Sequence, residues 1–315
     1  MTTDNTPTTG GQSSGPSGTP GASGGTGAEA VATLAGRVTD NSKRAKIRRS
    51  LTPARTIAAI FLILVIVVSV GSVLFPVADP LKQDVVNRFA GPGNGHFLGT
   101  DELGRDTWAR LLQGVRVELL ITVTATLIAM VLGTVLGLLA GWYQRLGDLL
   151  LMRVVDVILA FPPIIIALMA TTLYGTNKAT LVLVMGILFI PSFARVVHGQ
   201  VMSVAGLEFV AAAQVFGAGT WRRIFTVVLP NCLTPIIVQF TTVMAAAILL
   251  ESGLSFLGLG VQAPEPSLGS MVAGAQRFMT DYPVQLIIPA VAVSLIILSF
   301  GLVGDFLRDV LDPRR

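Results

Sequence analysis

Little in this 315-residue chain is available for covalent or metal chemistry. There is one cysteine, Cys232, which excludes an internal disulfide, and the two histidines, His96 and His198, are too few for a Cys/His zinc site. No GxxxxGK[ST] phosphate loop occurs, so the chain does not hold ATP in the P-loop manner. The glycine clusters at 24–27 and 91–95 lack the strand, helix and lysine that phosphate binding requires. No catalytic residue, metal ligand or resident cofactor is expected, and the chain is not read as an enzyme. Charge is scarce too, at 13% of residues, and the net +4 gathers at the ends of apolar runs rather than in a nucleic-acid footprint.

What is present is apolar. With 52% hydrophobic residues and a mean hydropathy of +0.73, the chain has more apolar surface than a soluble core could hide. A bilayer core takes about 20 apolar residues per helix, and about six stretches qualify. They are roughly Ile57 to Phe75, Val117 to Ala140, Leu149 to Leu173, Ala179 to Val197, Ile236 to Leu257 and Leu286 to Leu307. The ten-residue alternation of a membrane β-barrel is missing. The expected fold is an all-α, multi-pass membrane protein of about six transmembrane helices.

Residues 1–50 differ in kind. Up to about Gly27 they are almost wholly Thr, Ser, Gly, Pro and Asn, a composition that cannot bury enough apolar area to offset the entropy of ordering, and a disordered tail is expected. Lys43, Arg44, Lys46, Arg48, Arg49 and Arg55 then precede the first span. Under the positive-inside rule they place the N-terminus in the cytoplasm, where they can also touch anionic lipid. The polar lead is too long for a cleaved signal peptide. Alternating loops put Arg145, Arg153, Arg195, Arg222, Arg223, Arg314 and Arg315 on the same side, and both termini with them. Residues 51–315 form the membrane domain.

Between the fourth and fifth runs, in a loop of about 198–235, lies EFVAAAQVFGAGTWRRIFTVVLP, Glu208 to Pro230. Phe209, Ala212, Ala213 and Phe216 recur at helical spacing after Glu208, and Gly217 stands where a helix C-cap favours positive φ. A second short helix through Trp221, Arg222, Arg223, Ile224 and Phe225 is expected to end at Leu229 and Pro230, because proline lacks an N–H and disfavours helical backbone before it. The prediction is a helical hairpin between spans, open either to a partner or to packing on its own bundle.

Two other blocks stand out. In the outward loop, FLGTDELGRD runs from Phe97 to Asp106; Asp101, Arg105 and Asp106 can pair locally, and Gly99 and Gly104 allow tight bends. It reads either as a gate over the outer mouth or as a structural cap. The second, ILLESGLSFLGLGVQAPEPSLG from Ile248 to Gly269, places Glu251 in an apolar run, where an ionised carboxylate costs about 2.5 to 3.5 kcal/mol to insert. Glu251 reads as a pathway residue or as a hydrogen-bonded buttress. Pro162, Pro163, Pro191 and Pro289 fall inside spans and are expected to kink them.

The alanines, Gly217, Val227, Leu229 and Pro230 fall at the spacing of the EAA loop of permease subunits in ATP-binding-cassette importers. The motif's glutamate is Ala211 here, with Glu208 one turn earlier. Phe97 to Asp106 resembles the LGTDxxGRD block of the dipeptide, oligopeptide and nickel subfamily. LSFLGLG with its proline-rich turn is similar to that subfamily as well, with Leu268 and Gly269 where relatives often carry Trp-Gly. GDFLRDVLDPRR, Gly304 to Arg315, resembles its short cytoplasmic tail. The resemblance covers most of the chain from Phe97 onward. It implies a type I importer permease in the bacterial inner membrane, half of a pathway for di- or oligopeptides. The partners it implies are a second, non-identical permease, two cytosolic subunits that bind ATP and Mg, and an extracytoplasmic substrate-binding protein. Glu208, Phe209, Ala212, Ala213, Gly217, Trp221, Arg222, Arg223, Leu229 and Pro230 would be the coupling residues. Glutathione and nickel chelates are alternative cargo. The rivals are a secondary transporter working without ATP, with Glu251 as its intramembrane charge, and a non-transporting scaffold.

Overall fold

A computed structural model describes residues 52–74, 79–93, 95–144 and 147–311, and every regular element among them is helical. Residues 1–51, with the expected tail and most of the basic cluster, lie outside the described residues, as do Arg145, Arg314 and Arg315.

The helices are α1 (Pro53–Leu74), α2 (Thr107–Tyr143), α3 (Arg153–Leu159), α4 (Pro163–Tyr174), α5 (Lys178–Ala205), α6 (Glu208–Val215), α7 (Thr220–Arg222), α8 (Leu229–Phe256), α9 (Leu268–Gln276) and α10 (Pro283–Leu311). Helices α2, α5 and α10 and the continuous rod Thr220–Phe256 are each long and apolar enough to cross a membrane. Helix α1 is apolar over the shorter stretch Pro53–Ser69. The expected third span is broken: Leu149–Leu159 and Pro163–Tyr174 meet at 82°. Its cause is local, since Pro162 takes an extended ψ of 125° and Pro163 starts a new helix at a position that needs no N–H donor. The six expected spans are therefore four unbroken spanning helices, one bent pair and the shorter α1.

Two boundaries also move. Helix α2 begins at Thr107, ten residues before the expected Val117, because the Asp106 carboxylate caps it by accepting from Ala109 N–H at 2.7 Å. Pro230 does not end a helix. A π turn over Arg223–Val228 leads without interruption into α8, and its wider spacing removes the carbonyl that a proline ring would strike in a regular α-helix.

Helices α2 and α5 form the centre of the bundle. Gly133, Gly137 and Gly141 repeat every fourth residue along α2 against α5. A Cβ on them would lie 2.6 Å from Phe193 Cβ, 2.6 Å from the Ala194 carbonyl oxygen and 2.7 Å from Val201 Cβ respectively. In lipid no hydrophobic effect drives helices together, so close backbone approach through small residues supplies the packing. Large apolar side chains such as Ile57, Leu132, Ile187 and Leu298 point outward, as expected where lipid is the solvent.

Candidate functional site

Helix α2 spans about 55 Å from end to end and separates two distinctive regions. At its far end, α6 and α7 make the hairpin expected from the sequence. The turn is a Schellman motif: Ala218 N–H donates to the Ala213 carbonyl and Gly217 N–H to that of Gln214, both at 3.0 Å, while Gly217 holds φ at +80°. An L side chain there would be strained although the space around it is open.

The inner face of the hairpin is anchored. Val210, Ile224 and Val228 are buried with Val201, Val204 and Cys232 in one apolar cluster, which Leu229 and Trp142 border. Arg223 turns inward, donating to Gln214 Oε1 at 2.6 Å and lying 5.1 Å from the Trp142 ring centroid. Glu208, Phe209, Ala212, Gly217, Trp221, Arg222 and Pro230 are exposed, and Ala213 is half-buried. The tip is apolar: Val215 is 85% and Phe216 89% exposed, and Trp221 stacks on Phe225 at 6.0 Å. Arg223 and Ala211, the position of the motif glutamate, line the same polar cleft of about 260 Å³ with Trp142, Leu207 and Gln214.

The loop before α2 is built the other way. Asp101 is its hub: Oδ1 accepts from the Leu103 and Arg105 N–H groups at 2.9 Å, while Oδ2 lies 2.7 Å from Arg105 Nε and 3.2 Å from Arg110 Nε. Arg105 also pairs with Glu102 at 2.9 Å. Asp106 faces His96 Nδ1 at 2.7 Å rather than an arginine, with its other oxygen on the α2 cap. Gly104, at φ +72°, turns where a side chain would run into the Asp84 carbonyl. The loop is fastened to α10 by Gln285 Nε2, which donates to the Thr100 carbonyl at 2.6 Å, and by Phe89 stacked on Tyr282 at 4.1 Å.

The family profile described as "Binding-protein-dependent transport system inner membrane component" matches residues 133–315, a region that contains the whole hairpin. The chain belongs to this permease family. It is 39% identical over 256 residues to a putative peptide transport system permease protein of Brucella suis, covering 80% of this chain and 86% of that protein. It is 40% identical over 224 residues to a glutathione transport system permease protein of Pectobacterium atrosepticum, with 71% and 74% covered. Against a dipeptide transport system permease protein of Alkalihalophilus pseudofirmus the figures are 37% over 249 residues, with 79% and 82% covered.

In this permease Glu251 does not stand alone. It is fully buried on α8, and the equally buried Glu118 on α2 accepts from the neighbouring Ser252 Oγ at 3.1 Å. Sequence reading passed over Glu118 because it sits at the start of an apolar run, between Val117 and Leu119, where a boundary charge is ordinary. Helix α9 was missed too, although Ser267 and Ser270 cap its first turn reciprocally at the three-residue spacing of a capping box.

Proposed function

We propose that this permease is one of two non-identical membrane subunits of an ATP-driven importer of di- or oligopeptides, and that the Glu208 to Pro230 hairpin couples it to cytosolic ATPase subunits. The observation carrying this reading is the hairpin itself: a capped turn anchored by Val210 and Ile224, with its apolar tip left uncovered. Uncovered aromatic and aliphatic side chains on a polar-flanked element mark a protein interface. Both termini and the hairpin are read as cytoplasmic, and the clasped loop before α2 as the outer face that receives cargo from a binding protein.

In this reading ATP closes the ATPases around the hairpin and biases the bundle between two packings, a population shift driven by a ligand at a distance. The ATP and Mg belong to the partner subunits. Peptide is favoured over glutathione as cargo because peptide or dipeptide systems name more of the similar permeases quoted above.

Affinity purification of this chain from its native membrane in mild detergent tests the assignment. A second permease, ATPase subunits and a peptide-binding protein are expected to co-purify. Gly217→Asp should abolish peptide uptake and ATPase recovery while the chain still inserts in the membrane. Normal uptake by that variant, or recovery of the chain alone under gentle conditions, would overturn the proposal.

A further inference from the structure

The carboxyl groups of Glu118 and Glu251 come from different spanning helices, α2 and α8, and both side chains are 0% exposed. Ser252 Oγ donates to Glu118 Oε1 at 3.1 Å and Ser255 Oγ donates to Glu251 Oε1 at 2.7 Å. That uses the hydroxyl donors at the site. The second oxygen of each, Oε2, is buried and has no hydrogen-bond partner. Ser252, bonded to Glu118, directly follows Glu251 on α8, so the two buried carboxyl groups lie at the same contact between α2 and α8. Two carboxylates are acceptors only, and burying both charges with one oxygen of each unsatisfied is costly; a carboxylic acid beside a carboxylate brings the missing donor.

Among the described residues, the surroundings close the site and bring no cation to it. Ser255 Oγ accepts from Val261 N–H at 3.2 Å, so its own proton is directed at Glu251. A Cβ on Gly260 would collide with Ser255 Oγ, and one on Gly269 with the Ser252 carbonyl oxygen, so the LSFLGLG turn and the start of α9 seal the pair at backbone distance. On the helices packed here, Arg110 is bonded to Asp101, Lys178 to Glu265, Arg195 to Asp156 and Asp309 to Arg55. Arg116, Asp305 and Arg308 are exposed. His198 lies beside Gly137 and Gly141, about 28 Å along α2 from Glu118. Helix α9 carries no charged residue.

We propose that Glu118 and Glu251 form a proton-binding site within the membrane, in which one proton shared between the carboxyl groups bonds α2 to α8. The proton comes from water and supplies the donor that the Oε2 atoms lack; no other reactant takes part. Any motion that parts α2 from α8 must break this bond. Without the proton, two like charges would stand in one buried site.

The test does not depend on the importer assignment. The full-length chain, labelled with carboxyl-¹³C glutamate and placed in lipid nanodiscs, is examined by infrared spectroscopy at neutral pH. The C=O stretch of a protonated, hydrogen-bonded glutamic acid is expected. It should be lost in Glu118→Gln/Glu251→Gln. If the double variant does not accumulate, the single variants carry the test, and each must shift or remove the same band. A spectrum with ionised carboxylate alone, as a bound metal cation would produce, overturns the proposal, and so does a protonated band that both single variants leave unmoved.

Discussion

At the end of α2 where the chain enters the helix, Asp101 accepts from two backbone N–H groups and two arginines, and Asp106 bonds to His96 and to the helix cap. At the other end, Phe216 and Val215 stand almost fully in solvent above a turn whose backbone bonds are complete. One region has satisfied its polar groups within the chain, and the other has satisfied its backbone but left apolar side chains uncovered. A region that is polar and paired has reached its final state unaided, since an unmade buried hydrogen bond is costly. A region that is capped, rigid and apolar is complete only with a partner, because its conformational entropy is already lost and its apolar area is still wet.

This contrast breaks most visibly at Asp101. Asp101→Ala leaves the buried Arg110 without its carboxylate and Arg105 with Glu102 alone, and is expected to cost about 3 to 5 kcal/mol. A lowered melting temperature of the purified chain checks it; an unchanged melt would mean that the loop is not self-sufficient. Phe216→Ser has the opposite signature. Stability should stay within about 0.5 kcal/mol, since the side chain is exposed, while affinity for the ATPase subunit proposed as its partner falls by about 2 kcal/mol, as for an aromatic interface anchor. Equal losses in both measurements would erase the distinction between the two ends.

The smallest effect is at the edge of the clasped loop. The Asn87 amide, donating to the exposed Asp84 carboxylate at 2.8 Å, holds that carboxyl below its ordinary value. Its contribution is therefore present above the unfolded carboxylate range and lost as pH falls through the folded value. Asn87→Ala should move the Asp84 titration upward by NMR, with no change at neutral pH.

Where the reading from sequence matched, the signal was short-range. Gly217 marked the end of α6 because a Schellman turn needs one left-handed residue, and the alanine and aromatic spacing before it marked the helix. Pro162 and Pro163 marked a disturbance for the same reason, although not an 82° bend. Pro230 misled because the local rule assumes α-helical spacing, and a π turn upstream relaxes the clash. The GxxxGxxxG run at Gly133, Gly137 and Gly141 was legible but unread; its meaning depends on which helix lies opposite.

Composition and local pattern were enough, from the sequence by itself, to determine an all-helical membrane chain, a capped hairpin between spans and a turn-rich loop dense in paired charge. Each follows from interactions within a few residues or from the solvent that a run of side chains requires. The tertiary structure alone decided that Asp106 meets His96, that Arg223 turns in over Trp142 while its neighbour Arg222 stays exposed, and that Glu118 and Glu251 are buried at one contact between α2 and α8. The two carboxyl groups come from positions more than a hundred residues apart, and the Ser252 to Glu118 bond beside them joins residues 134 apart. No local preference encodes such a meeting, because its energy exists only once α2 and α8 have packed and excluded water from between them.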